Sequence, residues 1–292
     1  MSILSRIDQF VENELCHTII GQQIMKVLRS TGISSGIRKH IVYRMMDNGT
    51  YPGDIEKSKK FFEENEERIN RICNWLSDEE SRNTYRQAIA FRMTLNRSDL
   101  PKYHLKDEQY FDEIVKFHDE EVFVDCGSYI GDTVDSFRKR VSNYKYIVCF
   151  EPDEHNYKVL LKKKIPNLQA IHGGVYNENT HLIFEAGNAT GSTFVTSESS
   201  TTKRVRVYKI DSVPQCNGAT FIKMDVEGSE LAALKGAEKT IQKNHPKLAI
   251  CIYHSDEDMV SIAEYIHIIA PQYKLYVRHY SYEKYETVLY AV

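Results

Sequence analysis

The stretch Val122-Phe123-Val124-Asp125-Cys126-Gly127-Ser128-Tyr129-Ile130-Gly131-Asp132-Thr133 carries the strongest chemical signal in the chain. An apolar, strand-like run enters a turn with two glycines. A helix follows, with Val134, Phe137 and Val141 at helical spacing. The glycines let a ligand approach the main chain, and a helix N-terminus offers free N–H groups. The pattern is D-x-G-x-x-x-G. It is not the G-x-G-x-x-G of dinucleotide enzymes, whose second glycine makes room for a pyrophosphate. Ile130 crowds that space, and Asp125 and Asp132 repel a diphosphate. Acidic groups beside a glycine turn suit a cationic ligand, such as a sulfonium with an amino-acid tail.

Acidic or basic groups also close three more strands. Glu151, in Phe150-Glu151-Pro152-Asp153, closes the next apolar run, 20 residues after Gly131. A carboxylate at that point accepts hydrogen bonds from both hydroxyls of a ribose. In Phe221-Ile222-Lys223-Met224-Asp225-Val226-Glu227-Gly228-Ser229-Glu230, another strand ends in carboxylates. Asp225 and Glu227 point to opposite sides if both are extended, but a turn after Met224 can bring them together. Either Glu227 or Ser229 could simply cap a helix. Tyr253-His254-Ser255-Asp256 ends the strand after that and sets His254 beside Asp225. A histidine near a carboxylate can take a proton from a hydroxyl. Asp225, Glu227 and His254 could equally hold a divalent cation. No spacing favours metal over base, and the expected site includes no metal.

The elements that must position these groups follow from the apolar pattern. Strand-like runs Val122–Cys126, Tyr146–Phe150, Gln169–His172, Thr220–Met224 and Leu248–Tyr253 alternate with helical stretches. That alternation predicts an α/β fold, a mainly parallel sheet with helices on both faces. After the third strand, His181–Glu185 and Arg204–Ile210 read as an inserted hairpin with no helix between them. Their connector, Thr190–Thr202, has nine Ser or Thr in thirteen positions, the composition of a loop or mobile lid. Tyr273–Tyr280 and Glu286–Val292 close the chain as two strands around a short polar turn. Nineteen tyrosines face one tryptophan. Packing in half-buried strands accounts for most of them.

Residues 1–118 read instead as helices. Ile3, Leu4, Ile7, Phe10, Val11, Leu15, Ile19 and Ile20 recur at helical spacing. Phe62, Asn65, Ile69, Ile72 and Leu76 form one stripe, and Ser77-Asp78-Glu79-Glu80 matches a capping box for a helix running to about Met93. Nothing in this part looks catalytic. The expected organisation is a helical domain, 1–118, followed by an α/β domain, 119–292.

Composition narrows the class. Hydrophobic residues make up 41% and charged residues 27%, as in soluble globular chains. Thirty-eight basic against 41 acidic side chains leave a charge of -3, unsuited to holding a nucleic-acid backbone over a broad face. The longest apolar run, Leu248–Tyr253, is far short of the ~20 residues of a membrane helix. No secretory signal opens the chain. Six cysteines without a CxxC pair read as reduced, buried thiols, and together these features predict a cytoplasmic protein.

The motifs VFVDCGSYIGDT, FEPDEHNYKVL, KIDSV and FIKMDVEGSELAALKGAEKTI resemble the FkbM family of S-adenosylmethionine-dependent methyltransferases. The resemblance covers Glu121–Val292 and leaves the helical part outside. It implies a Rossmann-like seven-stranded sheet of the class I methyltransferase type, with an antiparallel closing strand, and O-methylation, often of sugar or polyketide hydroxyls. Asp125, Gly127 and Gly131 would line the methionine end of S-adenosylmethionine, with Ser128, Asp132 and Thr133 of the same turn. Glu151, with Pro152, would hold the ribose, and Gly174 and Val175 would lie near the adenine. Asp225, Glu227 and His254 would form the catalytic set, with Asp225 also touching the cofactor and His254 or Asp225 acting as base. The third strand ends His172-Gly173-Gly174, with no acidic residue to meet the adenine amino group. The acceptor implied is a glycan or related small molecule, and the helical part could support an oligomer. Two rivals are a catalytically inactive binding or scaffold protein partnering a glycan-biosynthesis enzyme, and a nicotinamide-dependent oxidoreductase. The missing G-x-G-x-x-G weighs against the second.

Overall fold

The computed structural model describes residues 35–104, 108–185, 193–195 and 202–292. The helical pattern expected over Ile3–Ile20, and most of the Ser/Thr-rich connector, lie outside the described residues.

The site rests on a seven-stranded sheet. Its strands are β1 (Val122–Cys126), β2 (Tyr146–Glu151), β3 (Leu168–His172), β8 (Phe221–Met224), β9 (Lys247–Cys251), β10 (Leu275–His279) and β11 (Thr287–Ala291). The order is β10-β11-β9-β8-β1-β2-β3. Strands β3, β2, β1, β8 and β9 pair in parallel, while β11 runs antiparallel to both neighbours. This is the expected α/β architecture. The order reverses at β1, so the carboxyl ends of β1, β2, β8 and β9 open on one crevice, the usual ligand position in such sheets. The central strands are buried on both faces, which is why they read as unbroken apolar runs.

Helices cover both faces. Helices α5 (Asp132–Arg140) and α6 (Glu154–Lys162) follow β1 and β2. Val134, Phe137 and Leu160 from them join Phe123, Phe221 and Tyr290 in one apolar cluster. Phe123 and Phe221 stack at 4.9 Å across adjacent strands. Helices α7 (Glu230–Lys235), α8 (Glu238–Asn244) and α9 (Asp256–Ile269) cover the opposite face with Leu234, Ile241, Ile262 and Ile266. Burying each such side chain contributes about 1.5–3 kcal/mol.

The inserted segment is larger than the expected hairpin. Strands β5 (Thr180–Glu185) and β7 (Thr202–Tyr208) pair antiparallel as predicted. A third strand, β6 (Thr193–Val195), lies within the connector that reads as loop, and β4 (Gly174–Val175) adds a fourth. Threonine and valine favour a pleated strand even inside a Ser/Thr-rich tract.

Before the sheet come α1 (Ser35–Asp47), α2 (Ile55–Glu64), α3 (Glu66–Trp75) and α4 (Glu79–Thr94). The stripe from Phe62 to Leu76 is not one helix, because Asn65 ends α2 and starts α3. The capping residue of α4 is Asp78, not Ser77: its carboxylate accepts the Ser81 N–H at 2.7 Å. These helices do not stand apart from the sheet. Phe62, Ile72, Leu76, Tyr85 and Ile89 share a core with β8, β9 and α9. Arg68 contacts Glu264 at 2.6 Å, Arg92 contacts Asp256 at 2.9 Å, and Arg278 contacts Asp78 at 2.7 Å. Leu76 forms a single parallel bridge with Leu275. Across the boundary expected at residue 118, Tyr110, Phe111, Val115 and Phe117 pack with Phe123, Phe137 and Phe221. Aromatic residues in a segment without periodicity hide this in the sequence. Among the described residues, Cys73, Cys126, Cys149, Cys216 and Cys251 are buried and unpaired. No described helix is long and apolar enough to cross a membrane.

Candidate active site

The turn after β1 is built by backbone conformation. Gly127 and Gly131 both adopt left-handed φ, +79° and +82°. A Cβ on Gly127 would fall 1.9 Å from the Asp225 carbonyl oxygen, so glycine lets the turns after β1 and β8 touch. Asp225 N donates to Cys126 O at 3.1 Å across that contact. Gly131 then starts α5 without a side-chain cap, which leaves first-turn N–H groups for a ligand. Ser128 is buried, and its hydroxyl donates to Asp125 O. Asp132 is exposed and Thr133 is buried.

Asp125 does not present the free negative charge that the sequence suggests. It is fully buried, and Lys223 lies 3.2 Å away on the neighbouring strand. The two are cross-strand partners in the β1–β8 register. Burial pushes the Asp125 carboxyl up to about 6, against the pull of the Lys223 ammonium. Burial lowers Lys223, but Asp125 and Asp225 outweigh it and hold the ammonium above its usual range. Lys223 also donates to Gly127 O at 2.7 Å. The pair therefore fixes the turn from beneath, and the acid left beside the helix N-terminus is Asp132.

Glu151 ends β2 in the expected place. One oxygen accepts Tyr129 N–H at 2.8 Å and the other accepts Asp153 N–H at 2.9 Å. The Asn156 side chain is a third donor to this carboxylate. Burial pushes this carboxyl up to about 7, against the two N–H donors. Pro152 is half-buried beside it. Gly174 and Val175 are buried and pair with Val207 and Tyr208 in the smaller sheet, directly after β3.

The turn after β8 brings its two carboxylates together. Glu227 (φ +55°) and Gly228 (φ +93°) are both left-handed, so the chain doubles back. His254 follows β9. Its Nε2 lies 3.4 Å from Asp225 Oδ1 and 3.5 Å from Glu227 Oε2, and its Nδ1 lies 3.1 Å from Glu230 Oε1. Glu230 is fully buried and accepts Val226 N–H at 2.7 Å and Gly228 N–H at 3.0 Å. It is the residue that ties the turn to the histidine. Burial lowers His254, but Glu230, Glu227 and Asp225 outweigh it and raise the imidazole to about 11. That shift favours the imidazolium over the neutral ring that a general base needs.

The carboxylates divide in character. Burial raises Asp225, but Lys223, His254 and two tyrosine hydroxyls outweigh it and hold it below its usual range. Those hydroxyls are Tyr110, which donates to Oδ2 at 2.9 Å, and Tyr253, which donates to Oδ1 at 3.1 Å. Glu227, 37% exposed, is raised by burial. It is the more open and more basic of the two. The ligand atoms of Asp225, Glu227 and His254 lie within 4.8 Å of one another, so the geometry admits a divalent cation as well as a proton between them.

Residues 125–282 match the methyltransferase FkbM domain. The chain belongs to the FkbM methyltransferase family. No curated protein matches it. Among solved structures, the methyltransferase FkbM of Methylobacillus flagellatus KT is similar, with 25% identity and a TM-score of 0.70. The match covers 80% of this chain and 60% of that one, so this chain spans about 60% of its relative's length. An rRNA methylase of Streptococcus thermophilus, 15% identical, has a TM-score of 0.39 over 59% of this chain and 86% of its own. The fibrillarin of Aeropyrum pernix, solved with bound S-adenosylmethionine, is 11% identical, with a TM-score of 0.37 over 60% of this chain and 67% of its own. The family domain spans Asp125, Glu151, Asp225, Glu227 and His254. It excludes Tyr110, which touches Asp225.

Lys223, Glu230, Tyr110 and Tyr253 are the site residues that sequence reasoning missed. Lys223 had a signal: it is the one charged residue in a four-residue buried strand, as Asp125 is in β1. Opposite charges in two adjacent buried strands predict a pair. Glu230 reads as a surface residue of a first helical turn. Tyr110 sits in a stretch with no period at all.

Proposed function

We propose that the protein transfers the methyl group of S-adenosylmethionine to a hydroxyl of a glycan or related small molecule. The observation that carries this reading is the meeting of Asp225, Glu227 and His254 at the carboxyl ends of β8 and β9, beside the glycine turn of β1 and Glu151 of β2. The residues fit the cofactor. The uncapped N-terminus of α5 suits the carboxylate of the methionine tail, and Asp132 suits its amino group. Glu151, oriented by the Tyr129 and Asp153 N–H groups, suits the ribose hydroxyls. Gly174 and Val175 flank the adenine position, where main-chain groups would do the recognising.

When bound, the cofactor supplies an electrophilic methyl on a sulfonium, which reacts by in-line displacement. The protein must align an acceptor oxygen behind that methyl and remove one proton. Alignment supplies much of the effect. Glu227 takes the proton, because its carboxylate is reachable and not depressed. A positioned base contributes about 10²–10⁴-fold. Asp225 orients the acceptor hydroxyl. The His254 imidazolium holds Asp225 and Glu227 at one place and offsets their repulsion. The buried, unpaired cysteines fit work in the cytoplasm.

The direct test is the melting temperature with S-adenosylhomocysteine, with NADH as control. Ligand at 100-fold over its dissociation constant should add about 2.7 kcal/mol of stability. A rise with S-adenosylhomocysteine alone supports the reading. No rise at saturation overturns it in favour of a scaffold on this fold. Screening hydroxylated acceptors with radiolabelled methyl donor then reads transfer directly, and Glu227→Gln is expected to lose it while still binding S-adenosylhomocysteine.

A further inference from the structure

Tyr110 lies fifteen residues before the family domain begins, in the stretch that carries no recognisable motif. It is nevertheless inside the site. Its hydroxyl donates to Asp225 Oδ2 at 2.9 Å, while Tyr253 and His254 serve Oδ1. Both oxygens of Asp225 are thus held, each from a different element.

The direction of the Tyr110 hydrogen bond is set by its neighbour. Gln109 Nε2 donates to the Tyr110 oxygen at 3.1 Å and to Glu286 Oε2 at 2.5 Å. An ionised carboxylate only accepts, so the nitrogen of the Gln109 amide must face Glu286, and its second proton faces Tyr110. The Asp225 carboxylate likewise only accepts, so the phenol proton points at its Oδ2, with Cys251 Sγ 3.6 Å from the same hydroxyl. The result is a one-way chain from Gln109 through Tyr110 to the carboxylate.

The backbone is organised around this placement. Tyr110 has φ +68°, a left-handed conformation that a bulky residue rarely adopts. Such outliers persist only where the surroundings over-determine them, and they gather at functional sites. Here the surroundings are specific. Tyr290 hydroxyl accepts the Tyr110 N–H at 3.0 Å. Tyr290 and Tyr280 hydroxyls lie 2.7 Å apart, and Tyr280 donates to Asp112 Oδ2 at 3.0 Å. Packing alone needs none of these polar contacts. A phenylalanine would fill the same space.

Resting on the reading above, we propose that Tyr110 is a positioning residue for the reaction, which fixes the rotation of Asp225 and turns it toward the acceptor. The FkbM domain of this chain is then completed from outside its matched span, by Gln109 and Tyr110 upstream and by Glu286 downstream.

The test is the titration of Asp225, followed by carbon NMR in protein labelled at aspartate side chains and assigned with Asp225→Asn. The groups facing Asp225 are Lys223 from β8, Glu227 from the following turn, His254 and Tyr253 from the end of β9, and Tyr110. Cys251 and Glu286 lie against Tyr110 and Tyr253. In Tyr110→Phe the Asp225 midpoint is expected to move to higher pH, with S-adenosylhomocysteine affinity within about twofold of the parent by calorimetry. An unchanged midpoint, with only a lowered melting temperature, would overturn the proposal and leave Tyr110 as packing. If Tyr110→Phe does not fold, 3-fluorotyrosine at position 110 keeps the shape and makes the phenol a stronger donor, and the Asp225 midpoint must then fall. Failure of the parent protein to bind S-adenosylhomocysteine sinks the methyl-transfer reading alone. The Asp225 titration judges the placement of Tyr110 independently.

Discussion

The two halves of the crevice handle negative charge in opposite ways. At the ends of β1 and β2, each carboxylate has a fixed partner in the protein: Asp125 the charge of Lys223, Glu151 two backbone N–H groups. At the ends of β8 and β9, three carboxylates share one histidine, and Glu227 stays partly open. The first half is a preformed cradle. The second keeps unspent acidity next to where an acceptor oxygen would sit. On the proposed reading, the difference follows from what each half does. Holding a cofactor needs fixed donors and acceptors, while moving a proton needs a group whose state can change.

The largest effect that would break this comparison is on Lys223. Lys223→Met leaves Asp125 buried and unpaired, so unfolding should become easier by about 3–5 kcal/mol. Denaturant melts measure it. A variant as stable as the parent would mean that Asp125 is not held ionised by this pair, and the cradle would lose its floor.

Next is Glu151→Ala. Losing an acceptor for two ribose hydroxyls should weaken S-adenosylhomocysteine binding by about 10–100-fold. Calorimetry reads it, and near-unchanged affinity removes the ribose assignment. The same carboxyl sharpens the contrast through pH. Burial raises it to about 7, and only its ionised form accepts both hydroxyls. S-adenosylhomocysteine should therefore bind about tenfold more weakly at pH 6 than at pH 8. In Glu151→Gln that slope should vanish.

On the other half, the test is His254→Gln. A folded-state value raised to about 11 means that His254 contributes stability fully below its unfolded value of 6.5. That contribution fades as pH rises and is lost beyond about 11. The melting advantage of the parent over His254→Gln should shrink steadily between those limits, with S-adenosylhomocysteine affinity unaltered. A constant gap would mean that the ring is neutral. The smallest expected effect is that of divalent cations. An imidazolium already supplies positive charge between Asp225 and Glu227, so manganese or magnesium should leave the melting temperature where it is. A clear rise would replace the imidazolium with a metal.

How much of this could be read from residues alone also divides along the crevice. Val122–Cys126 and Tyr146–Glu151 are apolar runs that end in a glycine turn and in a carboxylate, so strand, turn and role lie in one short window. The β8–β9 half is assembled from distant pieces. Glu227 meets His254 only because two consecutive residues turn left-handed. Glu230 works from the first turn of a helix, and Tyr110 from a stretch with neither period nor motif. The tyrosines suggest sheet packing, yet Tyr110, Tyr253, Tyr280 and Tyr290 are joined through their hydroxyls. Composition shows that they are many, but not that they are connected. The packing of helices α2–α4 against the sheet is hidden for the same reason. Its apolar stripes are visible, and their partner face on α9 and β10 is not.

The bridge from Leu76 to Leu275 has one more consequence. Strand β10 ends the seven-stranded sheet, so its outer row of N–H and C=O groups would be open to any other extended chain. The segment around α4 seals that row. Ser77 N donates to Leu275 O, the Ser81 hydroxyl accepts Val277 N–H, and His104 N donates to His279 O. The helical region thus shields the sheet from growing by addition of foreign strands. Cut loose from residues before 105, the remainder would keep Tyr110 beside Asp225 and gain a sticky rim, and the first symptom would be insolubility rather than lost chemistry.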